Sequence, residues 1–337
     1  MTSTAAESVQ VAEAVVAAEA MIEVRGLRKS FTVKHKRKTT SVEAVKGIDL
    51  TVARGEIFGF LGPNGAGKTT TLRMLTTLIT VDEGTALIAG ADLRRDPGEV
   101  RRRIGYVAQG GGTNDDVTGR EELVLQARMY GFSRAEAERR AEAALGSFDL
   151  TDYADRNCST YSGGQRRRVD IALGVIHDPV LLFLDEPTAS LDPQSRARMW
   201  DEVRRLRGAG MTVFITTHYL EEADALCDRI AIIDHGEVVA LGTPNQLKHE
   251  ISGDVVSIAA ADSIAAGALL APLPFVNKVE TPEGEDVRCY VEDAGTAIPQ
   301  ILRSLDAAGV AFDKIELQRP SLDDVFLAKT GRSLRES

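Results

Sequence analysis

The run Gly62-Pro63-Asn64-Gly65-Ala66-Gly67-Lys68-Thr69 constrains this chain more than any other stretch, because it satisfies G-x-x-x-x-G-K-[ST] between a strand-like and a helix-like segment. Glycines let the backbone wrap a phosphate closely, and several N–H groups and the N-terminus of the following helix point at the anion. Lys68 adds a point charge at the β and γ phosphates, and the Thr69 hydroxyl offers a ligand to Mg²⁺. Thr70 continues the same turn and completes the expected phosphate-binding set. A glycine-rich turn that only caps a helix is the plainer reading, and the full pattern argues against it.

A second motif gives the loop its chemistry. Residues 180–184 are an apolar strand that ends in Asp185-Glu186, so both carboxylates are expected at the C-terminal edge of a parallel sheet, where ligands bind. Asp185 is read as holding Mg²⁺ through water. Glu186 is read as the general base, or the group that orients water, for in-line attack on the γ-phosphate. Acids after a buried strand are ordinarily plain loop residues, and it is the upstream phosphate loop that lifts this pair above that reading. The two motifs define a P-loop NTPase and no more.

Strand-like runs at 21–24, 48–52 and 57–61 flank a charge run, Lys34-His35-Lys36-Arg37-Lys38, read as a solvated hairpin tip. Helical patterns follow at 68–78, 120–148 and 164–176, then strand, helix and strand at 180–184, 195–208 and 212–216. That alternation predicts a parallel sheet with helices on both faces. A polar break at 248–253 sets a domain boundary near 250. Beyond it we expect strand 254–259, helix 263–270, a hairpin over 277–291 with Glu283-Gly284 at its turn, helix 296–308 and strand 314–318. This β-α-β-β-α-β order suggests a ferredoxin-like module. Residues 1–20 have no basic start, apolar run or cleavage site, so they are expected to be an unstructured tail, with Met21 an alternative start. The domains are therefore 1–20, 21–250 with a helical part at about 110–176, and 251–337.

Tyr161-Ser162-Gly163-Gly164-Gln165, just before a helix and shortly upstream of the Asp185-Glu186 strand, resembles the signature of ATP-binding cassette (ABC) proteins. The resemblance implies a mixed-sheet cassette with a helical subdomain. It also implies that Ser162, Gly163, Gly164 and Gln165 bind the γ-phosphate of ATP held by the other subunit of a dimer, formed with a second copy or with a different cassette. Tyr161 stands where leucine is commoner, which implies altered packing and not lost activity. Gln109 resembles the glutamine that senses Mg²⁺ and the attacking water, Ser190-Leu191-Asp192 the loop that crosses the dimer, and His218 the histidine that contacts the γ-phosphate. Phe31 occupies the position of the aromatic that stacks on adenine, against the plainer reading of a half-buried core ring. Residues 110–122, with three consecutive glycines, lie where such ATPases meet the transporter, and flexibility is expected there. The ending Arg319-Pro320-Ser321-Leu322-Asp323-Asp324-Val325-Phe326-Leu327 looks like that of the daunorubicin-resistance-type drug-exporter ATPases, as does Thr217-His218-Tyr219-Leu220-Glu221-Glu222-Ala223-Asp224.

That likeness implies an ATPase powering efflux of a drug-like, lipid or other amphiphilic substrate through a separate membrane permease, bound peripherally on the cytoplasmic side. An importer's ATPase or a non-transport ABC ATPase is the alternative. An importer's ATPase has the same chemistry, so export rests on the resemblance of the C-terminal ending. Only roughly 95 residues separate the two anion-binding motifs, with no sustained heptads, unlike the coiled-coil ATPases of chromosome structure. A net charge of −10 argues against nucleic acid as a partner. Cys158, Cys227 and Cys289 are odd in number and lack metal-ligand spacing, which argues against a disulfide framework or a zinc site. The alanine-rich stretch 258–276 is broken by Asp262, Pro272 and Pro274 and is read as part of a soluble module, not a membrane span.

Overall fold

Short runs of β-branched and aromatic residues become the strands of this protein, and the helices between them bring the loops that carry its motifs to one edge. The structure is a computed structural model that describes residues 20–35, 38–189, 191–250, 254–281, 286–318 and 321–331. The expected tail through 19, the tip residues 36–37, Ser190, the turn at 283–284 and residues 319–320 lie outside the described residues. The chain divides into two units between Leu241 and Gly242.

In the first unit, β1 (Ala20–His35) and β2 (Lys38–Ala53) form a long antiparallel hairpin. Alternate side chains Ile22, Val24, Leu50 and Val52 turn inward, as the period of two requires. β3 (Ile57–Leu61) is buried throughout and leads through the phosphate loop into α1 (Lys68–Leu75). β4 (Glu83–Ile88) and β5 (Ala91–Asp92) extend the hairpin into a four-stranded sheet of order β2-β1-β4-β5. α2 (Pro97–Arg103) then leads into β6 (Ile104–Val107). The expected helical middle is α3 (Gly119–Met129) and α4 (Arg134–Ser147), interrupted at 130–133 where Ser133 caps α4.

α5 (Gly163–Val175), β7 (Leu181–Asp185), α6 (Pro193–Gly208), β8 (Thr212–Thr217), α7 (Leu220–Leu226), β9 (Arg229–Asp234) and β10 (Glu237–Gly242) follow. They complete a six-stranded sheet of order β10-β9-β3-β8-β7-β6. β9, β3, β8, β7 and β6 run parallel in register. Leu61 therefore pairs with Thr217, and Asp185 with Thr216, which puts the ends of β3, β7 and β8 on one edge. Phe58, Phe60, Phe183 and Phe214 lock these strands from the core side, with ring centroids of Phe183 and Phe214 5.4 Å apart.

The second unit contains α8 (Pro244–His249), β11 (Asp254–Ala260), α9 (Ser263–Leu270), β12 (Val276–Glu280), β13 (Val287–Val291), α10 (Ala294–Ala308), β14 (Phe312–Gln318) and α11 (Leu322–Thr330). Its four strands are antiparallel in the order β12-β13-β11-β14. Val256, Ile258, Cys289, Ile301 and Leu305 make its own core, separate from that of the first unit. The stretch 258–276 is split among β11, α9 and β12, and no helix of the described residues is long and apolar enough to cross a membrane.

α5 rests on β6 through two glycines. A β-carbon at Gly105 would stand 2.1 Å from the Gly174 carbonyl oxygen, and one at Gly174 would stand 2.9 Å from Val107 Cγ2. Backbone therefore meets backbone where α5, which begins at the Ser162 motif, crosses the strand leading to Gln109. Gly105→Ala should lower stability by about 1–3 kcal/mol through overpacking. A denaturant midpoint unchanged from wild type would show that this contact does not seat the helix.

Candidate functional site

The phosphate loop leaves β3 and enters α1 through Gly67, whose φ of 106° no side-chain-bearing residue holds without strain. A β-carbon there would also lie 2.6 Å from the Ala44 carbonyl oxygen, so β2 presses directly on the loop. Asn64 and Gly65 face solvent, whereas Gly62, Pro63, Ala66 and Gly67 are buried, and Thr69 and Thr70 stand half-buried on the first turn of α1. Lys68 is buried, and its Nζ donates to the carbonyls of Gly62 at 2.7 Å and Pro63 at 3.1 Å. Burial pulls its pKa below the usual lysine range, and the neighbouring Glu186 carboxylate opposes that fall.

Three residues from three different connections converge on Glu186. Lys68 Nζ lies 3.2 Å from Glu186 Oε1, Gln109 Nε2 donates to Oε2 at 2.8 Å, and His218 Nδ1 stands 3.2 Å from Oε1 without hydrogen-bond alignment. Glu186 has a φ of 43°, so a bulky residue is held in the left-handed region just past the end of β7. Such a conformation costs on the order of 1–3 kcal/mol and persists only where the surroundings impose it. Beside it, Asp185 is buried with Oδ1 3.3 Å from the Thr69 hydroxyl. Carboxylate, lysine, amide and imidazole thus share one small space at the edge where the phosphate loop opens.

The aromatic, signature and dimer-loop residues make no hydrogen bond or ion pair with that group among the described residues. Ser162 caps α5 in a reciprocal box: its Oγ accepts from Gln165 N–H, and Gln165 Oε1 accepts from Ser162 N–H at 2.9 Å. Ser162 and Gly163 are exposed. Among the described residues no hydrogen bond or ion pair joins 161–165 to 62–69. Asp192 caps α6 by accepting from Ser195 N–H at 2.9 Å and from its hydroxyl at 2.6 Å, which holds the Asp192 carboxyl below the usual range. A side chain at Gly164 would stand 3.1 Å from that Ser195 hydroxyl, so the two caps adjoin. Phe31 is 40% exposed, not a core ring, and pairs with Val42, two residues along β2 from the Ala44 that touches the loop. The Tyr161 hydroxyl donates to the Tyr153 carbonyl at 2.6 Å, a packing role away from the exposed cap.

Residues 45–189 match the ABC transporter family, and residues 242–330 match the C-terminal domain of DrrA1-3-like ATP-binding proteins. The chain is 45% identical over 298 residues to the daunorubicin resistance ATP-binding protein DrrA2 of Streptomyces coeruleorubidus, covering 86% of this chain and 90% of that one. The chain belongs to the ABC transporter family. It is also 35% identical to the linearmycin resistance ATP-binding protein LnrL of Bacillus subtilis, over 94% of this chain and all of that protein. Among solved structures it resembles the ATP-binding cassette MJ0796 in a dimeric post-hydrolysis state bound to ADP and Pi. That likeness has a TM-score of 0.60 at 26% identity and covers 66% of this chain and 98% of that one. Like the family, this cassette is an ATPase.

Several residues that build the cassette's site escape a reading by motif. Arg167 on α5 is buried and donates to the carbonyls of Pro187 at 2.8 Å, Ala108 at 2.8 Å and Asp185 at 3.3 Å, so one guanidinium ties the stretch before Gln109 to the acidic turn. Asp170 accepts from Gly112 N–H at 2.9 Å and from Thr113 N–H at 3.2 Å. The glycine run expected to be flexible is therefore anchored to α5 at its far end. Glu222 on α7, fully buried, accepts from the Thr188 hydroxyl at 2.8 Å and Trp200 Nε1 at 3.1 Å. The local signal for Arg167 is only charge on an amphipathic helix, which ordinarily marks the solvated face, and Glu222 stands in the exporter-like stretch 217–224 with no local sign of its burial.

Desolvation raises the Glu222 pKa above its ordinary 4.5. Its contribution to stability is thus fully present below the unfolded value and is lost as pH rises through the folded one. Glu222→Gln removes that dependence. The variant's denaturant midpoint should gain on wild type as pH rises above 4.5. Parallel pH profiles for the two proteins would show that Glu222 titrates as an exposed carboxylate.

Proposed function

We propose that this chain is the ATP-hydrolysing subunit of an exporter, working as a homodimer on the cytoplasmic side of the membrane beside a separate permease. The observation that carries the catalytic part is the meeting of Lys68, Gln109 and His218 on the Glu186 carboxylate next to the phosphate loop. Export is supported by the match of residues 242–330 and by relatives whose names record drug resistance. The permease would carry the substrate, of drug-like, lipid or other amphiphilic character.

The loop amides and Lys68 hold the β and γ phosphates of ATP, and Phe31 offers its exposed ring to adenine. Glu186 accepts the proton of a water whose oxygen attacks the γ-phosphorus, and the bond from that phosphorus to the ADP oxygen breaks. Gln109 and His218 orient the water and the γ-phosphate from either side of Glu186. The donor set fits Mg²⁺: Thr69 and Asp185 bring two hard oxygens close together, and no group of three or more His, Cys, Asp or Glu among the described residues makes a full cage. Mg²⁺ takes one or two protein oxygens and completes its shell from phosphates and water. When bound there it neutralises charge on the β and γ phosphates.

The cap at Ser162–Gln165 is exposed at Ser162 and Gly163 and makes no hydrogen bond or ion pair with its own phosphate loop among the described residues, which suits a γ-phosphate presented by a second copy. Asp192, capping the adjoining helix, would face the same junction. ATP then acts as the joint between two cassettes, and hydrolysis releases it.

Glu186→Gln should retain ATP binding, lose turnover by at least about 100-fold, and accumulate as dimer in size-exclusion with ATP and Mg²⁺. Monomer alone together with normal turnover would remove Glu186 as the base. Ser162→Arg should abolish hydrolysis while sparing binding of a fluorescent nucleotide. Wild-type turnover in that variant would remove the composite site.

A further inference from the structure

Thr216 is fully buried on β8, two residues before His218 and directly after the apolar run Val213-Phe214-Ile215. Valine would fill the same space in such a run without the cost of burying a hydroxyl, so the hydroxyl calls for a partner. It has two. Thr216 Oγ1 donates to Asp185 Oδ1 at 2.6 Å and accepts from Glu186 N–H at 3.1 Å. The Thr216 carbonyl accepts from that same N–H, also at 3.1 Å. One residue therefore touches both acids of the site.

A hydroxyl has one proton and two lone pairs. Giving the proton to Asp185 leaves the lone pairs for the Glu186 amide, and the parallel register that pairs Asp185 with Thr216 brings all three atoms together. Asp185 Oδ1 is thereby fixed toward Thr69, whose hydroxyl lies 3.3 Å away. Glu186 N–H, caught by both oxygens of Thr216, is held as the chain turns into its left-handed conformation at φ 43°. The neighbouring Thr217 does something different, with its hydroxyl accepting from Tyr219 N–H at 2.9 Å in a local turn.

We propose that Thr216 is a positioning residue: its hydroxyl sets the Asp185 carboxylate for the cation-bound phosphates and anchors the turn that aims Glu186. This rests on the reading of Asp185 and Glu186 given above. It separates Thr216 from the residues that touch nucleotide, since its effect reaches the reaction only through the two acids. Loss of the hydroxyl should weaken what depends on Asp185 and leave the phosphate loop's own grip intact.

The test is Thr216→Val, which keeps the shape, beside Thr216→Ser, which keeps the hydroxyl. Affinity for a fluorescent ATP analogue is measured in EDTA and in Mg²⁺, together with turnover and the thermal midpoint. In Thr216→Val the gain in affinity that Mg²⁺ brings should shrink, and kcat should fall, by about 10- to 100-fold, with affinity in EDTA unchanged. Thr216→Ser should restore most of both. Wild-type Mg²⁺ dependence and kcat in Thr216→Val would overturn the proposal, as would equal losses in EDTA and Mg²⁺ that serine does not rescue. Asp185→Asn and Glu186→Gln run alongside: if neither lowers turnover, the reading of the site has failed, and if both do while Thr216→Val does not, only the role of Thr216 has failed.

Discussion

A single carboxylate in a strained turn organises this cassette. Glu186 sits past the end of β7 with a left-handed backbone and is met at once by Lys68 from the phosphate loop, Gln109 from the end of β6 and His218 from the end of β8. No neighbouring pair of residues could create that arrangement. It needs four parallel strands whose carboxyl ends are level, and the β6-β7-β8-β3 part of the sheet supplies them. The strain at Glu186 is sustained because the surrounding strands and α5 hold the turn from below, with Arg167 bonding to the carbonyls of Asp185 and Pro187.

The same construction links the acidic turn to the exposed Ser162 cap. α5 begins at the exposed Ser162 cap, carries Arg167 to the acidic turn and Asp170 to the loop after Gln109, and lies on β6 with glycine against glycine. A shift of α5 is therefore felt by both Glu186 and Gln109. Coupling of this kind carries a displacement at the acidic turn along α5, because backbone packed on backbone has no slack to absorb it.

Much of this was legible in the chain itself, for a reason that can be stated residue by residue. The phosphate loop, Asp185-Glu186 and the Ser162 cap are contiguous, and their chemistry requires fixed spacing, so Gly67, Lys68 and Thr69 can be read without knowing the fold. The strands at 57–61 and 212–216 were visible because a fully buried parallel strand is a continuous apolar run. What could not be read were side chains whose meaning depends on strands or helices distant in sequence. Thr216 reads as the end of a strand until its register with Asp185 is known. Arg167 and Glu222 look like the charged face of a helix, because nothing local announces that three carbonyls or a Thr–Trp pair wait on the inner side. Helix 68–78 was too long by three residues, and Thr77 at φ 64° marks why the turn ends early.

Whether the Ser162 cap of one copy completes the Glu186 site of another is the central question, and mixing two crippled chains answers it most directly. Lys68→Ala breaks the phosphate loop and Ser162→Arg breaks the cap. In a dimer of one of each, both faults fall in one site and the other site is whole. ATPase activity of a mixture in equal parts should recover to about one quarter of wild type, the share of intact sites when chains pair at random about a two-fold axis. A mixture no more active than the average of the two variants measured separately, with mixed dimers demonstrably formed, would contradict a site shared between chains.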